Sequence, residues 1–100
     1  LGVAPSADVS LTHGVFQPSH GSAPDIAGKG VANPTAMLLS AAMMLEWLGE
    51  RHGDDQCAKV AQNIQSAIET TLANGPKARD LGGTAGTQEV VDAVIGALPA

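Results

Sequence analysis

The sequence has few aromatic side chains and little positive charge, and each shortage excludes a class of partner. Only Phe16 and Trp47 are aromatic among 100 residues, and tyrosine is absent. Five Lys and Arg residues are dispersed along the chain against ten Asp and Glu residues, which gives a formal net charge of −5. Because the chain has neither a basic patch nor a row of rings for base stacking, we expect no nucleic-acid partner.

Cysteine is almost absent, and no apolar run is long enough to cross a membrane. Cys57 is the single cysteine, which excludes an internal disulfide, and its place on the apolar side of a predicted helix favours a buried, inert thiol. The longest apolar stretch, residues 35–48, is shorter than the roughly 20 residues that a bilayer requires, so no membrane partner is expected. The chain starts at Leu1 without a signal or transit pattern, and we expect it to be a piece of a longer protein.

The periodicity of the apolar residues predicts an α/β chain with its strands first. Short β-prone pieces at residues 1–3 and 15–17 predict two strands separated by a polar turn. Residues 35–48 predict a helix that is buried on most of its surface, closed by residues 49–53. Met37, Met43 and Met44 are expected to fill gaps in its core.

Two further helices are predicted from apolar residues at helical spacing. The second helix is expected to have Asp54 or Asp55 as its cap and Asn74-Gly75-Pro76 as its stop, and the third to run from Thr87 or Gln88 to about residue 98. The predicted apolar faces are Cys57, Val60, Ala61, Ile64, Ala67, Ile68 and Leu72 in the second helix, and Val90, Val91, Val94, Ile95 and Leu98 in the third.

The segment at residues 20–34 has the composition of a ligand-binding loop. It contains three glycines, which can adopt positive φ or approach a ligand closely, and two prolines, which stiffen it. Asn33 followed by Pro34 is typical of a helix N-terminus, where anions and ligands often bind. The same composition also fits an ordinary turn-rich connection.

Asp25 is the main candidate for direct contact with a ligand in this loop. A carboxylate there can accept hydrogen bonds from both hydroxyls of a ribose and repels a 2′-phosphate. The alternative is a solvated turn aspartate that bonds its own backbone. Neither a dinucleotide fingerprint nor a P-loop is present, because Asn33 stands where the third glycine would be and Lys29 is followed by Gly30 rather than Ser or Thr.

Taken together, four stretches resemble one family. The segment from His20 to Pro34 resembles the adenosine-binding loop of the β-decarboxylating dehydrogenases, which include the isopropylmalate, isocitrate, homoisocitrate and tartrate dehydrogenases. Residues 1–7 resemble the strand and turn before that loop, and residues 41–45 the helix after it. Residues 80–87, Asp-Leu-Gly-Gly-Thr-Ala-Gly-Thr, match the late glycine-rich turn of the family. The resemblance therefore covers essentially the whole chain.

The resemblance implies a fold and an activity. Residues 1–100 would form the C-terminal part of the cofactor-binding domain, with short strands at 1–19, the adenosine-binding loop at 20–34 and helices at 35–98. The intact enzyme would be a cytoplasmic homodimer that uses NAD to oxidise and decarboxylate a small 2-hydroxy acid. Substrates like 3-isopropylmalate are expected first, with tartrate- or isocitrate-type acids as the alternative. Mg²⁺ or Mn²⁺ would assist, with its ligands outside this chain.

The resemblance also implies which residues bind the cofactor. His20 would lie on the adenosine side, although a lone histidine beside a glycine is often structural. Asn33 would pair with the adenine edge or cap the helix. In relatives that use NADP, a Lys-Tyr pair takes the place of Asp25-Ile26, so this pair supports NAD. The full set that the resemblance implies is His20, Gly21, Ser22, Ala23, Pro24, Asp25, Ile26, Ala32, Asn33 and Asp80. The amides at residues 21–23 would face the pyrophosphate, Ile26 and Ala32 would line the adenine pocket, and Asp80 would lie near the adenosine.

Departures from the family pattern limit what this chain can do. Relatives usually have Phe-Glu-Pro-Val where residues 16–19 are Phe-Gln-Pro-Ser, and residues 8–13 replace a short glycine-containing turn. The family's catalytic Tyr has no counterpart, Arg51 and Arg79 stand alone, and Asp54-Asp55 lack metal-ligand spacing. We expect cofactor binding without catalysis by this chain alone. A non-catalytic nucleotide-binding or assembly fragment, and an inert packing piece, are the alternatives.

Overall fold

A computed structural model of the chain describes residues 5–10, 12–19, 21 and 23–99, without the side chain of Arg79. Its elements in chain order are β1 (Pro5–Val9), β2 (Gly14–Pro18), a first 3-10 turn (Pro24–Ile26), α1 (Thr35–His52), α2 (Asp55–Asn74), a second 3-10 turn (Arg79–Leu81) and α3 (Thr87–Ala97). This mixture of strands and helices confirms the predicted α/β class.

The two strands form an antiparallel hairpin at the start of the described chain. Ala7 lies opposite Phe16 and Val9 opposite Gly14, and the turn between the strands is closed by Ser10 N–H donating to His13 O at 2.7 Å. The predicted strand at 15–17 is confirmed with one more residue at each end, whereas the one at 1–3 lies outside the described residues. β1 was not predicted, because prolines and aspartates are poor strand formers.

The first helix is longer than predicted. Gly49 was expected in the closing turn but lies inside α1 and is buried. A Cβ there would lie 3.0 Å from both Ala58 N and Asp54 O, so the glycine lets α2 start against α1. α1 ends one turn later, where Gly53 adopts a left-handed φ of 62° that a glycine accepts without strain.

The expectation that the methionines of α1 fill the core is wrong for two of them. Met37 is 57% exposed and Met44 39% exposed, whereas Met43 is half-buried. The fully buried positions of α1 include the small residues Ala36, Ser40 and Ala42 instead. Small side chains allow close approach of the neighbouring elements, which leaves the two long methionines on another face of the helix.

α2 begins and ends where the sequence predicts. Asp54 caps it by accepting hydrogen bonds from the amides of Gln56 and Cys57 at 3.0 and 3.3 Å. The helix ends at Asn74, just before Gly75, and Lys77 Nζ donates to Leu72 O at 2.6 Å in its last turn. A basic group there complements the carbonyl end of the helix dipole.

The core lies where the three helices meet. Its buried members are Ala67, Ile68 and Val94, with Leu38, Leu39, Ile64, Leu72 and Ala97 packed around them. The start of α1 thus lies against the end of α2, so these helices form an antiparallel pair that α3 joins from the side. α3 itself is confirmed, but Ile95, Leu98 and Val60 of the predicted apolar faces are exposed by 59%, 36% and 45%.

The hairpin is attached to α1 through the two aromatic residues. The rings of Phe16 and Trp47 have their centroids 6.0 Å apart and are tilted by 55°, a separation within the range of favourable aromatic pairs. The guanidinium of Arg51 lies 5.4 Å from the centre of the Trp47 ring, within the range of a cation–π contact. Among the described residues, no helix has both the length and the apolar character required to cross a bilayer.

Candidate functional site

The first half of the loop is a tight 3-10 turn that exposes Asp25. Ile26 N–H donates to Ala23 O at 3.1 Å, and Ala23 itself has left-handed φ and ψ of 46° and 62°. That conformation costs a non-glycine residue about 1 kcal/mol, and such backbone strain is often found at ligand sites. His20 and Ser22, two of the predicted cofactor-binding residues, lie outside the described residues.

The carboxylate of Asp25 is directed to solvent. The residue is exposed, lies in the first turn of the 3-10 segment Pro24–Ile26, and receives no hydrogen bond from the part of the chain that the structure describes. The alternative of a turn aspartate that bonds its own backbone is therefore absent from this conformation. Both carboxylate oxygens of Asp25 are available to an external donor, as a ribose would require.

The second half of the loop is held against the start of α3. Gly28 and Gly30 have left-handed φ of 78° and 66°, which glycine adopts freely. Gly30 O then accepts a hydrogen bond from Thr87 N at 2.8 Å, and Ala32 O accepts one from Thr87 Oγ1. A Cβ on Gly86 would come within 2.9 Å of Gly30 O, so the glycine is required for this approach.

Asn33 joins the loop to α1 and to the second 3-10 turn. Its Oδ1 accepts hydrogen bonds from Thr35 N at 3.0 Å and from Thr35 Oγ1 at 2.7 Å. This satisfies one of the amides near the start of α1. The N-cap position belongs to Pro34 and the helix begins at Thr35, so the predicted start, with Asn33 as N-cap and Pro34 as the first helical residue, is one residue too early. Asn33 Nδ2 donates to Asp80 Oδ2 at 3.3 Å. Two predicted site residues 47 positions apart are therefore in contact.

Asp80 is presented by a turn whose shape depends on backbone hydrogen bonds and two glycines. Gly83 N donates to Ala78 O at 3.0 Å and Ala85 N to Lys77 O at 2.9 Å. Gly82 has a left-handed φ of 81°, and an ideal Cβ on Gly83 would lie only 1.9 Å from Lys77 O. The two glycines therefore shape the turn, as the sequence suggested.

A family model, Isocitrate/isopropylmalate dehydrogenase, matches residues 1–94. The chain belongs to this family. The match includes both the loop at 20–34 and the turn that carries Asp80.

Similar members of the isocitrate/isopropylmalate dehydrogenase family are named for different substrates. The chain is 51% identical over 98 residues to an isocitrate/homoisocitrate dehydrogenase of Thermus thermophilus, covering 98% of this chain and 27% of that protein. It is 49% identical over 94 residues to a 3-isopropylmalate/3-methylmalate dehydrogenase of Methanocaldococcus jannaschii, covering 94% and 26%.

A solved structure shares the fold. The crystal structure of a β-decarboxylating dehydrogenase from Thermococcus kodakarensis superposes with a TM-score of 0.83 and 41% identity, over 96% of this chain and 26% of that one. The fold predicted from the resemblance is therefore confirmed. The chain spans about a quarter of the length of the relatives it matches.

Thr87 and Thr35 were not predicted as site residues, although their hydrogen bonds hold the loop at residues 20–34 in place. Thr87 was noted only as a possible helix start. Its bonds to Gly30 and Ala32 span more than fifty positions, so no local pattern reveals them. The remaining predicted residues are less enclosed: Ile26 is half-buried, while Pro24 and Ala32 are exposed.

Other reactive groups lie away from the loop. Cys57 is half-buried, and desolvation, followed by the charge of Asp54 and a hydrogen bond with it, raises the pKa of its thiol, which favours the inert form. A cavity of about 290 Å³ at the hairpin turn has none of the predicted site residues in its lining. Among the described residues, no group of three or more His, Cys, Asp or Glu side chains could hold a metal ion.

Proposed function

We propose that this chain is the C-terminal portion of a decarboxylating dehydrogenase and binds the adenosine half of NAD. The observation that carries the proposal is the Asp25 carboxylate, which is exposed on a strained turn and has no hydrogen-bond donor among the described residues. A ribose with free 2′ and 3′ hydroxyls supplies two donors of the kind that such a carboxylate accepts.

The surrounding residues fit an adenosine in chemistry. Ile26 and Ala32 offer small apolar surfaces for a base, and Asn33 has polar groups at the start of α1. The amides at residues 21–23 are proposed to face the pyrophosphate, and the preceding His20 is proposed to lie on the adenosine side. Asp80 belongs to the site through its hydrogen bond to Asn33.

Charge favours NAD over NADP in this proposal. The 2′-phosphate of NADP carries between one and two negative charges and would replace the hydroxyl facing Asp25. Two unit charges 4 Å apart repel by about 1 kcal/mol in water, so a phosphate beside this exposed carboxylate would be disfavoured by about 1–2 kcal/mol. Loss of the hydroxyl's hydrogen bond adds to that preference.

The whole enzyme is proposed to oxidise a 2-hydroxy acid and release carbon dioxide, with bound NAD accepting the hydride. Relatives named for isocitrate, homoisocitrate and isopropylmalate support this class of substrate. We favour an acid like 3-isopropylmalate, and tartrate- or isocitrate-type acids are the alternative. Residues outside this chain would hold Mg²⁺ or Mn²⁺ and carry the catalytic groups. A cytoplasmic homodimer is the proposed assembly.

The test compares NAD and NADP in the full-length protein. Asp25→Asn should raise the Kd for NAD about tenfold, because it removes charge-assisted hydrogen bonds contributing about 1.5 kcal/mol at an exposed site. Asp25→Lys should weaken NAD binding further and strengthen NADP binding. Glu69→Lys is the matched control, since Glu69 is exposed on α2 and the charge change is the same.

Two results would count against the proposal. If the Asp25 variants bind both nucleotides like the wild type, Asp25 does not face the ribose. If the full-length protein binds NAD but turns over no 2-hydroxy acid, the alternative of a non-catalytic nucleotide-binding or assembly protein is correct.

A further inference from the structure

The chemistry of its partners defines the orientation of the Asn33 side-chain amide. Thr35 N–H can only donate a hydrogen bond, so the atom 3.0 Å from it must be the amide oxygen. An ionised Asp80 carboxylate can only accept one, so the atom 3.3 Å from it must be the amide nitrogen. A reversed amide would place like groups together at both ends.

The amide then has one donor left for a ligand. Thr35 N and Thr35 Oγ1 both donate to Asn33 Oδ1, which occupies the two lone pairs of that oxygen. Asp80 takes one of the two Nδ2 hydrogens. The side chain therefore offers a single N–H and no acceptor, which corrects the expectation that it pairs with both a donor and an acceptor of adenine.

Asp80 controls where that N–H points. Both bonds from Thr35 meet at one atom, Oδ1, and therefore hold only the oxygen end of the planar amide directly. The contact with Asp80 Oδ2 holds the nitrogen end. The turn at 77–85 is built from backbone hydrogen bonds to Ala78 O and Lys77 O, none of which uses the Asp80 carboxylate.

We propose that Asp80 is a positioning residue that acts on the nucleotide base through Asn33, by directing the remaining Asn33 N–H at an unprotonated ring nitrogen. This inference rests on the proposed function. A base with an acceptor at N1, as in adenine, is then favoured over one with an N–H at N1, as in hypoxanthine. Donor facing donor leaves both groups without a partner, which costs more than the bond contributes.

The experiment measures base selectivity in the full-length protein. The Kd values for NAD and for nicotinamide hypoxanthine dinucleotide are determined by titration calorimetry. In the wild type we expect the hypoxanthine analogue to bind about five- to tenfold more weakly, the equivalent of one hydrogen bond. Asp80→Ala and Asp80→Ser should reduce that ratio to below about twofold.

Two further variants separate positioning from charge. Asp80→Asn keeps an oxygen that accepts from Asn33 Nδ2 and should retain the wild-type ratio. Asp92→Ala is the matched control, because Asp92 is also an exposed carboxylate that accepts from a side-chain amide, that of Gln88 at 2.8 Å. It should leave the ratio unchanged. Asn33→Ala should lower the ratio as Asp80→Ala does, and the double variant should lower it no further.

The possible failures are distinct. An unchanged ratio in Asp80→Ala, or a wild type that binds both dinucleotides equally, overturns the inference while the proposed function stands. Equal loss in Asp80→Asn and Asp80→Ala shows that the charge contacts the cofactor directly, which also overturns it. A wild type that binds neither dinucleotide refutes the proposed function itself.

Discussion

Gly83 is the position at which a single added methyl group should disrupt the turn that carries Asp80. An ideal Cβ there would lie 1.9 Å from Lys77 O and 2.5 Å from Lys77 C. Carbon and oxygen atoms that are not bonded rarely approach closer than about 3 Å. The overlapping atoms belong to the backbone, so no side-chain rotation relieves the overlap. The backbone at Lys77 must therefore move by about 1 Å.

The cost can be assembled from the contacts that would be lost. Moving Lys77 O breaks the 2.9 Å hydrogen bond from Ala85 N, for about 1–2 kcal/mol, and disturbs the small cluster of Ala78, Ala85 and Val90. Overpacking adds about 1–2 kcal/mol. We therefore expect Gly83→Ala to lower the free energy of unfolding by about 2–4 kcal/mol.

Gly96→Ala provides the matched comparison in urea denaturation of the full-length protein. Gly96 is exposed in α3 and a Cβ there meets nothing within 4 Å, so alanine should stabilise by about 0.5 kcal/mol through helix propensity. The reasoning is refuted if Gly83→Ala is as stable as the wild type, or if the two substitutions have the same effect. NAD affinity should also fall in Gly83→Ala, because Asp80 is displaced.

The remaining predictions concern the cap of α2 and the hydrogen bond by which Thr87 holds the loop at residues 20–34. Asp54→Ala should destabilise by about 1 kcal/mol in thermal unfolding, because it removes the cap, whereas Asp54→Ser should retain most of that stability. Desolvation and, after it, the Asp54 carboxylate raise the pKa of Cys57. Both variants remove the carboxylate, so at pH 8 the thiolate fraction and the rate of alkylation should increase; an unchanged rate would contradict the contribution of Asp54. Thr87→Val should raise the Kd for NAD about fivefold through loss of one hydrogen bond to Ala32, while Thr70→Val on the exposed surface of α2 should have no effect.

Local chemistry made the helix boundaries predictable. Asp54, Gly75 and the residues around Thr87 each mark a helix end through a capping or stop preference that acts over a few residues, and all three ends were correct. The end of α1 was misplaced because Gly49 resembles a stop, although it serves close packing against Ala58. Sequence alone does not distinguish these two uses of glycine.

The exposure of apolar residues could not be predicted from periodicity. Helical spacing identifies one apolar face, but it does not say which part of that face contacts another element. Ile95 and Met37 follow the apolar pattern and are 59% and 57% exposed. Small residues such as Ala36 and Ser40 take the buried positions instead, because the space between the elements is narrow.

The sequence could propose members of the candidate site, but it could not show how they are connected. Asp25, Asn33 and Asp80 were identified by chemistry and by family resemblance. Their roles depend on contacts such as Asn33 with Asp80 and Thr87 with Gly30, which join segments distant in the sequence. A local pattern can name an asparagine near a helix start, but it cannot say which carboxylate holds the other end of its amide.

The hydrogen bonds that hold the loop at residues 20–34 against the start of α3 limit the order in which the chain can fold. Thr87 donates hydrogen bonds to Gly30 O and Ala32 O, and the antiparallel pair of α1 and α2 lies between these residues in the sequence. Closing so long a segment of unfolded chain is entropically unfavourable, but a preformed helical pair brings its two ends together. The transition state for folding should therefore contain the packing of Leu38 against the cluster that includes Ala67 and Ile68, with φ-values well above those of Thr87 and Asp80. The candidate site would be assembled last, and denaturant should release it first.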